Sequence, residues 1–218
     1  KGFYHCFGCG AHGDVIRWLT DHQNMQFLDA VAELAALAGM QMPARDPQAE
    51  KRDGERNRLF ELMARAEYRY AGALPTAAAV VDYIQRRGIS REIAEEFRLG
   101  YAQPSRKGDP SVMQRALGGS PVDDAVRLGL MKRNPDTGEM YDFFRHRLII
   151  PIHDSRGRCI GFGGRALGDV QPKYLNSPDT PLFDKGRTLF NHHRAAPAAR
   201  AANRLVIVEG YMDVIAMA

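Results

Sequence analysis

Cysteine is scarce in this chain. Three thiols stand in 218 residues, two of them in one C-x-x-C at Cys6 and Cys9 and the third at Cys159. So few leave no disulfide framework and suit a reducing compartment. Long apolar runs are missing as well: none approaches the ~18 residues a membrane span needs, so no membrane partner is expected. No basic stretch followed by an apolar core opens the sequence, so nothing marks it for secretion. It begins without Met, in the middle of a motif, and stops just after a strand-like run, which together suggest part of a longer protein. Charge of one sign is barely in excess, since 30 Lys and Arg face 26 Asp and Glu for a net +4. That balance alone is weak ground for an anionic partner.

The distribution of charge says more. Residues 1–43 hold two basic and four acidic side chains, and residues 44–144 hold seventeen and sixteen. Residues 145–200 hold ten basic against four acidic, so a phosphate-bearing partner is expected there. The hydrophobic share of 44% and charged share of 26% are ordinary for a soluble globular protein of one large domain or two small ones.

In FYHCFGCGAHGD, two thiols two residues apart, with Gly8 and Gly10 permitting a tight turn, have the form of a zinc knuckle. A structural zinc needs four ligands, and neither His5 nor His12 stands at a spacing that completes a second knuckle. Half a zinc site is expected, its other half lying before residue 1; a redox pair and an unliganded turn are the competing readings. Asp14 is placed to cap a helix through Val15, Ile16, Trp18 and Leu19, and Asn24 a second through Phe27, Val31, Leu34 and Ala38. Gly39 and then Pro43 stop the second helix.

Residues 44–58 are dense in charge and read as a linker or an exposed helix start, with the domain boundary there. Helices follow around Leu59–Ala66 and Thr76–Arg87, with Gly88 as a stop and Ser90 capping a shorter one through Phe97. Shorter helical pieces run to Leu128, and Pro135–Gly138 is a turn between extended pieces. No chemistry stands out in 59–144, which reads as helical scaffold.

Beyond Phe144 the period changes. Arg147–Ile152 reads as a strand, Asp154–Gly157 as a hairpin turn and Arg158–Phe162 as the return. Pro151 places the first strand at an edge or a bulge, and Gly161, Gly163 and Gly164 imply a backbone or ligand close by. In PKYLNSP, a Lys beside a Tyr offers a phosphate contact and a stacking face, and Asn176 adds a donor and an acceptor. A proline-bounded surface loop with ordinary charges is the plainer alternative. The last stretch, LVIVEGYMDVIAMA, reads as a strand from Leu205 to Val208 buried on both faces, a turn at Glu209-Gly210 and a helix from Tyr211. A carboxylate at such a strand end sits where open α/β sheets place ligands. Taken alone, Glu209 is equally a solvated strand end.

Four blocks in one order, FYHCFGCGAHGD, RLIIPIHDSRGRCIGFGGRAL, PKYLNSPDTPLFDKGRTLFN and VIVEGYMDVIA, together resemble a bacterial DnaG-type DNA primase. The likeness runs from residue 1 to 218, dense in 1–13 and 145–218 and diffuse through 44–144. It implies an α+β chain: residues 1–43 as the second half of a zinc-binding ribbon domain and 44–58 as a linker. Residues 59–202 would then be the N-terminal subdomain of an RNA polymerase core, and 203–218 the first strand and helix of a Toprim fold.

The resemblance assigns zinc to Cys6 and Cys9, and catalysis and magnesium to Glu209 and Asp213, with the remaining Toprim aspartates falling beyond Ala218. It assigns DNA and nucleotide contacts to Arg147, Arg165, Lys173, Tyr174, Asn176 and Lys185. Template-directed RNA primer synthesis on single-stranded DNA from NTPs is the implied activity, in the bacterial cytoplasm. A replicative helicase would bind through a C-terminal region absent from these residues. With its metal site incomplete, the 218-residue chain is expected to be inactive alone. Another Toprim enzyme, or a non-catalytic single-stranded DNA binding module, is the alternative.

Overall fold

In the computed structural model, which describes residues 2–41, 46–104 and 111–218, the chain divides at Lys51 into two units. In the first, strands β1 (Phe3–His5) and β2 (His12–Asp14) pair antiparallel, with Tyr4 opposite Gly13. Helix α1 (Val15–His22) starts where expected, because the Asp14 carboxylate accepts from the Arg17 amide at 2.9 Å. Tyr4 meets Trp18 edge-on at 5.0 Å and ties the hairpin to α1.

Helix α2 (Phe27–Leu37) is capped differently from expectation. Gln26, not Asn24, holds the N-cap position, and Asn24 turns the chain with φ +57°. The turn needs a left-handed residue, and Asn tolerates that region. Gly39 at φ +67° closes α2, with the Met40 amide donating to the Ala35 carbonyl. Pro43 lies outside the described residues.

The charged segment is helical from residue 47. Helix α3 runs Pro47–Ala73, with the Asp46 side chain accepting from Gln48 N at 2.9 Å and Pro at the first helical position. Of the two readings of residues 44–58, the exposed helix start is the one seen from Pro47 onward. Its Gln, Ala, Glu, Lys and Arg are good helix formers, and their charge only keeps that half solvated.

A 3₁₀ turn (Leu74–Thr76) leads to α4 (Ala78–Arg86) and α5 (Arg91–Glu96), the last capped by Ser90 as expected. Next come β3 (Gly100–Ala102), α6 (Val112–Leu117) and α7 (Val122–Arg127). The hairpin of β4 (Met131–Arg133) and β5 (Met140–Asp142) follows. The main hairpin is β6 (Arg147–His153) and β7 (Cys159–Ala166), followed by β8 (Tyr174–Asn176), α8 (His192–Ala202) and α9 (Tyr211–Ala216).

The central sheet has the order β3-β6-β7-β8, all antiparallel. Strands β6 and β7 are buried along their whole length because helices cover both faces. On one face Leu59, Leu62, Met63, Ala66 and Tyr70 of α3 pack with Ile149 and Phe162. On the other, Val80 and Ile84 of α4, Phe97 beyond α5, and Met212 and Ile215 of α9 pack with Leu148 and Ile150. Pro151 sits past the end of β3, which pairs only residues 147–149, so its missing N–H costs no ladder bond there. A bulge follows at Ile152/His153.

Two expectations are corrected here. Residues 205–208 form no strand among the described residues; Leu205, Val206 and Ile207 are exposed, Ile207 by 77%. A strand buried on both faces needs neighbours to pair with, and no described strand bonds to this segment. The scaffold 59–144 is not purely helical, since β3 comes from it. Three residues are too short to carry a readable period.

Candidate nucleic-acid interface

The knuckle takes its expected form. The Gly10 amide donates to the Cys6 carbonyl at 2.9 Å and the Cys6 amide to Ala11 at 2.7 Å, folding Cys6 to Gly10 into a tight turn. The Cys9 amide, the Cys9 thiol and the Gly8 amide donate toward Cys6 and hold its thiol below the ordinary range. A C-x-x-C pair of thiols suits zinc, and both are exposed. The His12 ring is engaged through Nδ1 with the Gly10 carbonyl at 3.0 Å. No three His, Cys, Asp or Glu side chains gather as a metal site among the described residues.

The second unit gathers its polar groups on the α4 face of the sheet. Leu148 of β6 stands opposite Arg165 of β7, and β7 pairs Gly163 with Asn176 and Arg165 with Tyr174 of β8. Side chains two apart on a strand share a face, so Gly163 and Arg165 look toward α4 together with Asn176 and Tyr174. Arg165 is 7% exposed, donates through Nη1 to the Tyr174 hydroxyl, and lies over two rings, 4.9 Å from Tyr83 and 5.1 Å from Tyr174. Tyr83 also carries Arg87 at 5.5 Å.

Three polar atoms here are buried without a partner among the described residues: Arg165 Nε, Asn176 Oδ1 and the Tyr83 hydroxyl. Buried polar groups are nearly always bonded, and leaving one unpaired costs about 1–3 kcal/mol. All three lie on the α4 face of the sheet.

The sheet also positions the C-terminal turn. A Cβ on Gly163 would stand 2.8 Å from the Tyr211 ring and 3.3 Å from Asn176 Oδ1, so only glycine lets α9 lie this close. Gly161 and Gly164 likewise face the rings of Phe183 and Phe144. The neighbours of this glycine run are therefore aromatic side chains, which corrects the expected backbone or ligand. Glu209 is exposed two residues before Tyr211. Asp213 Oδ2 accepts from the Gly210 amide at 3.1 Å and fixes the turn that bears Glu209.

The remaining sequence candidates separate. Lys173 is exposed beside Tyr174, and Lys185 is exposed on a loop whose Lys185 amide donates to Asp179 at 2.9 Å. Ser177 pins the loop start, exchanging bonds of 2.9 and 2.8 Å with the Phe162 backbone. Arg147 does not join them. It is 5% exposed, and its Nη1 donates to Pro172 O at 2.8 Å and reaches the Gly164 and Lys173 carbonyls. Burial lowers its pKa, with Arg145 adding to the effect. Arg147 is thus a brace for the Lys173 loop, which sets it apart from the exposed lysines. Tyr83, Arg87 and Tyr211 are the additions. Arg86-Arg87 before Gly88 is a basic pair in the sequence, but nothing local separates it from an ordinary solvated helix end.

A family model described as DNA primase catalytic core, N-terminal domain, matches residues 69–196, and one described as CHC2 zinc finger matches residues 1–50. The DNA primase of Pseudomonas putida is 44% identical over 225 residues, covering all of this chain and 34% of the relative. The DNA primase of Escherichia coli K12 is 42% identical over 224 residues, covering all of this chain and 38% of the relative. This chain therefore spans about a third of the length of the curated relatives it matches.

The solved structure of the DnaG primase catalytic domain bound to ssDNA aligns with TM-score 0.67 and 41% identity, over 75% of this chain and 52% of that one. The Aquifex aeolicus primase structure, with zinc binding and RNA polymerase domains, aligns with TM-score 0.66 and 30% identity, over 99% of this chain and 51% of that one.

Proposed function

The chain belongs to the bacterial DnaG-type DNA primase family, and from that premise we propose that it carries the single-stranded template approach of an enzyme making RNA primers from NTPs. The observation that carries this reading is the α4 face: Arg165 between two tyrosines, with Asn176 Oδ1, Arg165 Nε and Tyr83 OH buried and unpartnered among the described residues, beside the turn that bears Glu209. A guanidinium over aromatic rings with exposed Lys173 alongside suits phosphates and stacked bases without demanding a sequence.

Primer synthesis joins a 3′-hydroxyl to the α-phosphorus of an NTP and releases pyrophosphate, so negative charge builds on phosphoryl oxygens. Glu209 and Asp213 are hard oxygen donors of the kind magnesium takes, and would hold part of its site. Magnesium, when bound, stabilises the attacking and leaving oxygens. Cys6 and Cys9 would supply two thiolates to a zinc. In domain terms, residues 1–43 are read as zinc ribbon and 59–202 as the N-terminal core subdomain. Residues 44–58 join the two, and 203–218 begin a Toprim fold. The family reading extends to a helicase partner and a cytoplasmic setting.

The test is a labelled single-stranded oligonucleotide titrated with the 218-residue chain across a salt series. Lys173→Ala should weaken binding and flatten the salt slope by about 0.7 for each phosphate the lysine neutralises. An unchanged slope with unchanged affinity counts against the reading.

A further inference from the structure

Away from the α4 face, α3 and α6 form a cleft on the opposite side of the sheet. Arg65, Tyr68 and Arg69 of α3 line it, facing Arg115 and Gly118 at the end of α6. The three α3 residues stand at i, i+3 and i+4, so they present one surface. That surface is turned away from the core, which α3 meets through Leu62, Met63, Ala66 and Tyr70.

The Arg65 guanidinium is fixed in place. Its Nη2 donates to Ser120 Oγ at 2.5 Å, and its Nη1 would lie 3.5 Å from a Cβ on Gly118. Its Nε is nevertheless buried and without a partner among the described residues. One turn on, Arg69 is exposed and makes no hydrogen bond or ion pair among the described residues. Tyr68 between them is 77% exposed, its ring open to solvent.

An ordinary solvated helix face is the simpler reading, but it leaves the buried Arg65 Nε without a partner among the described residues. Among the described residues, the α3–α6 cleft is lined by no acidic side chain. Like charges at i and i+4 repel, and an anion between them relieves that repulsion. Guanidinium groups match phosphate in geometry, and an exposed tyrosine beside them offers a base a stacking face.

We infer that this cleft holds a nucleotide, its phosphate between Arg65 and Arg69 and its base on the Tyr68 ring, the nucleotide belonging to a nucleic-acid strand or free in solution. The site uses no residue of the α4 face, so it adds a second contact rather than restating the first.

The experiment uses the 218-residue chain with Arg69→Glu and Tyr68→Ala, both at exposed positions, with thermal melts to show that each folds. Fluorescence anisotropy with a labelled thymidine oligonucleotide reads the strand, and equilibrium dialysis with ATP reads the free nucleotide. For a strand, Tyr68→Ala should weaken the oligonucleotide at least about fivefold. Arg69→Glu should reduce its salt slope by about 0.7. Loss of ATP binding with the oligonucleotide unaffected assigns the cleft to free nucleotides. If neither ligand responds to either variant, the inference is overturned. Lys173→Ala, run in parallel, separates the failures: if it alone weakens the oligonucleotide, only the cleft is wrong, and if it is silent too, both sites fall.

Discussion

Arg147 Nη1 donates to the Pro172 carbonyl at 2.8 Å from the face of the sheet opposite Arg165. The two arginines are on neighbouring strands, and sequence alone treats them alike. Arg147 braces from the α3 side the loop that presents Lys173, while Arg165 faces Tyr83 and Tyr174 on the α4 side.

Replacing Arg147 with Ala should therefore act on stability before affinity. Removing its bonds to the loop carbonyls is expected to cost about 1–3 kcal/mol, read as a lower urea midpoint. The salt slope for a single-stranded oligonucleotide should stay that of the parent. A shallower slope would return Arg147 to the phosphate-binding set.

Arg165 should behave in the reverse way. Arg165→Lys keeps the charge but gives up the planar group that stacks on two tyrosines, and a Lys cannot replace it there. Oligonucleotide affinity should fall about thirtyfold, in line with a desolvated cation–π contact of about 2 kcal/mol. Tyr83→Phe removes a hydroxyl that has no partner among the described residues. Relieved of an unpaired buried group, the chain should melt at a higher temperature, while oligonucleotide affinity falls because the ligand loses a bond to that oxygen.

Gly163→Ala places a methyl 2.8 Å from the Tyr211 ring. A cost of about 1–3 kcal/mol is expected from overpacking. Combining it with Tyr211→Ala should recover part of that loss, because the two side chains would no longer compete for one space. Strict additivity of the two losses in denaturant melts would mean that Tyr211 does not pack there.

The β6–β7 turn gives a pH prediction. Burial alone would raise the Asp154 pKa, but bonds from the Arg158 amide and guanidinium and the Arg156 amide outweigh it and hold the carboxyl below the ordinary aspartate range. A depressed folded value gives stability that is present above the unfolded pKa and lost as pH falls through the folded one. Asp154→Asn should thus lower stability near neutrality and flatten its decline below about pH 4. A parallel shift of the whole stability–pH curve would rule out this linkage.

The thiols should divide by environment. Cys6 is exposed and its pKa is lowered by donors from Cys9 and Gly8, whereas Cys159 is buried and its pKa is pushed well up, mainly by burial. With iodoacetamide near neutral pH, Cys6 should be alkylated in the folded chain and Cys159 only on unfolding. Mass spectrometry of the modified peptides reads this directly.

Several elements were legible because their cause is local. Asp14 and Ser90 bond the amide three residues on, and Gly39 and Gly88 take the left-handed conformation that ends their helices. Asp154 closes its hairpin through amides two and four residues away. The four motif blocks, read in order, carried the family. Other features had no local signature. Strand β3 is set by its pairing with β6, 47 residues downstream, and α8 is an alanine-rich helix with no buried residue to give a period.

The chain's own residues determined the knuckle, the caps, the long hairpin and the basic segment, each through interactions within a few positions. Only the tertiary structure decided which basic groups share a surface. Side chains alternate across a strand, so one step in register sends an arginine to the other face. The pairing of Leu148 with Arg165, and of Arg147 with Ala166, turned one guanidinium toward the tyrosines and the other beneath the loop.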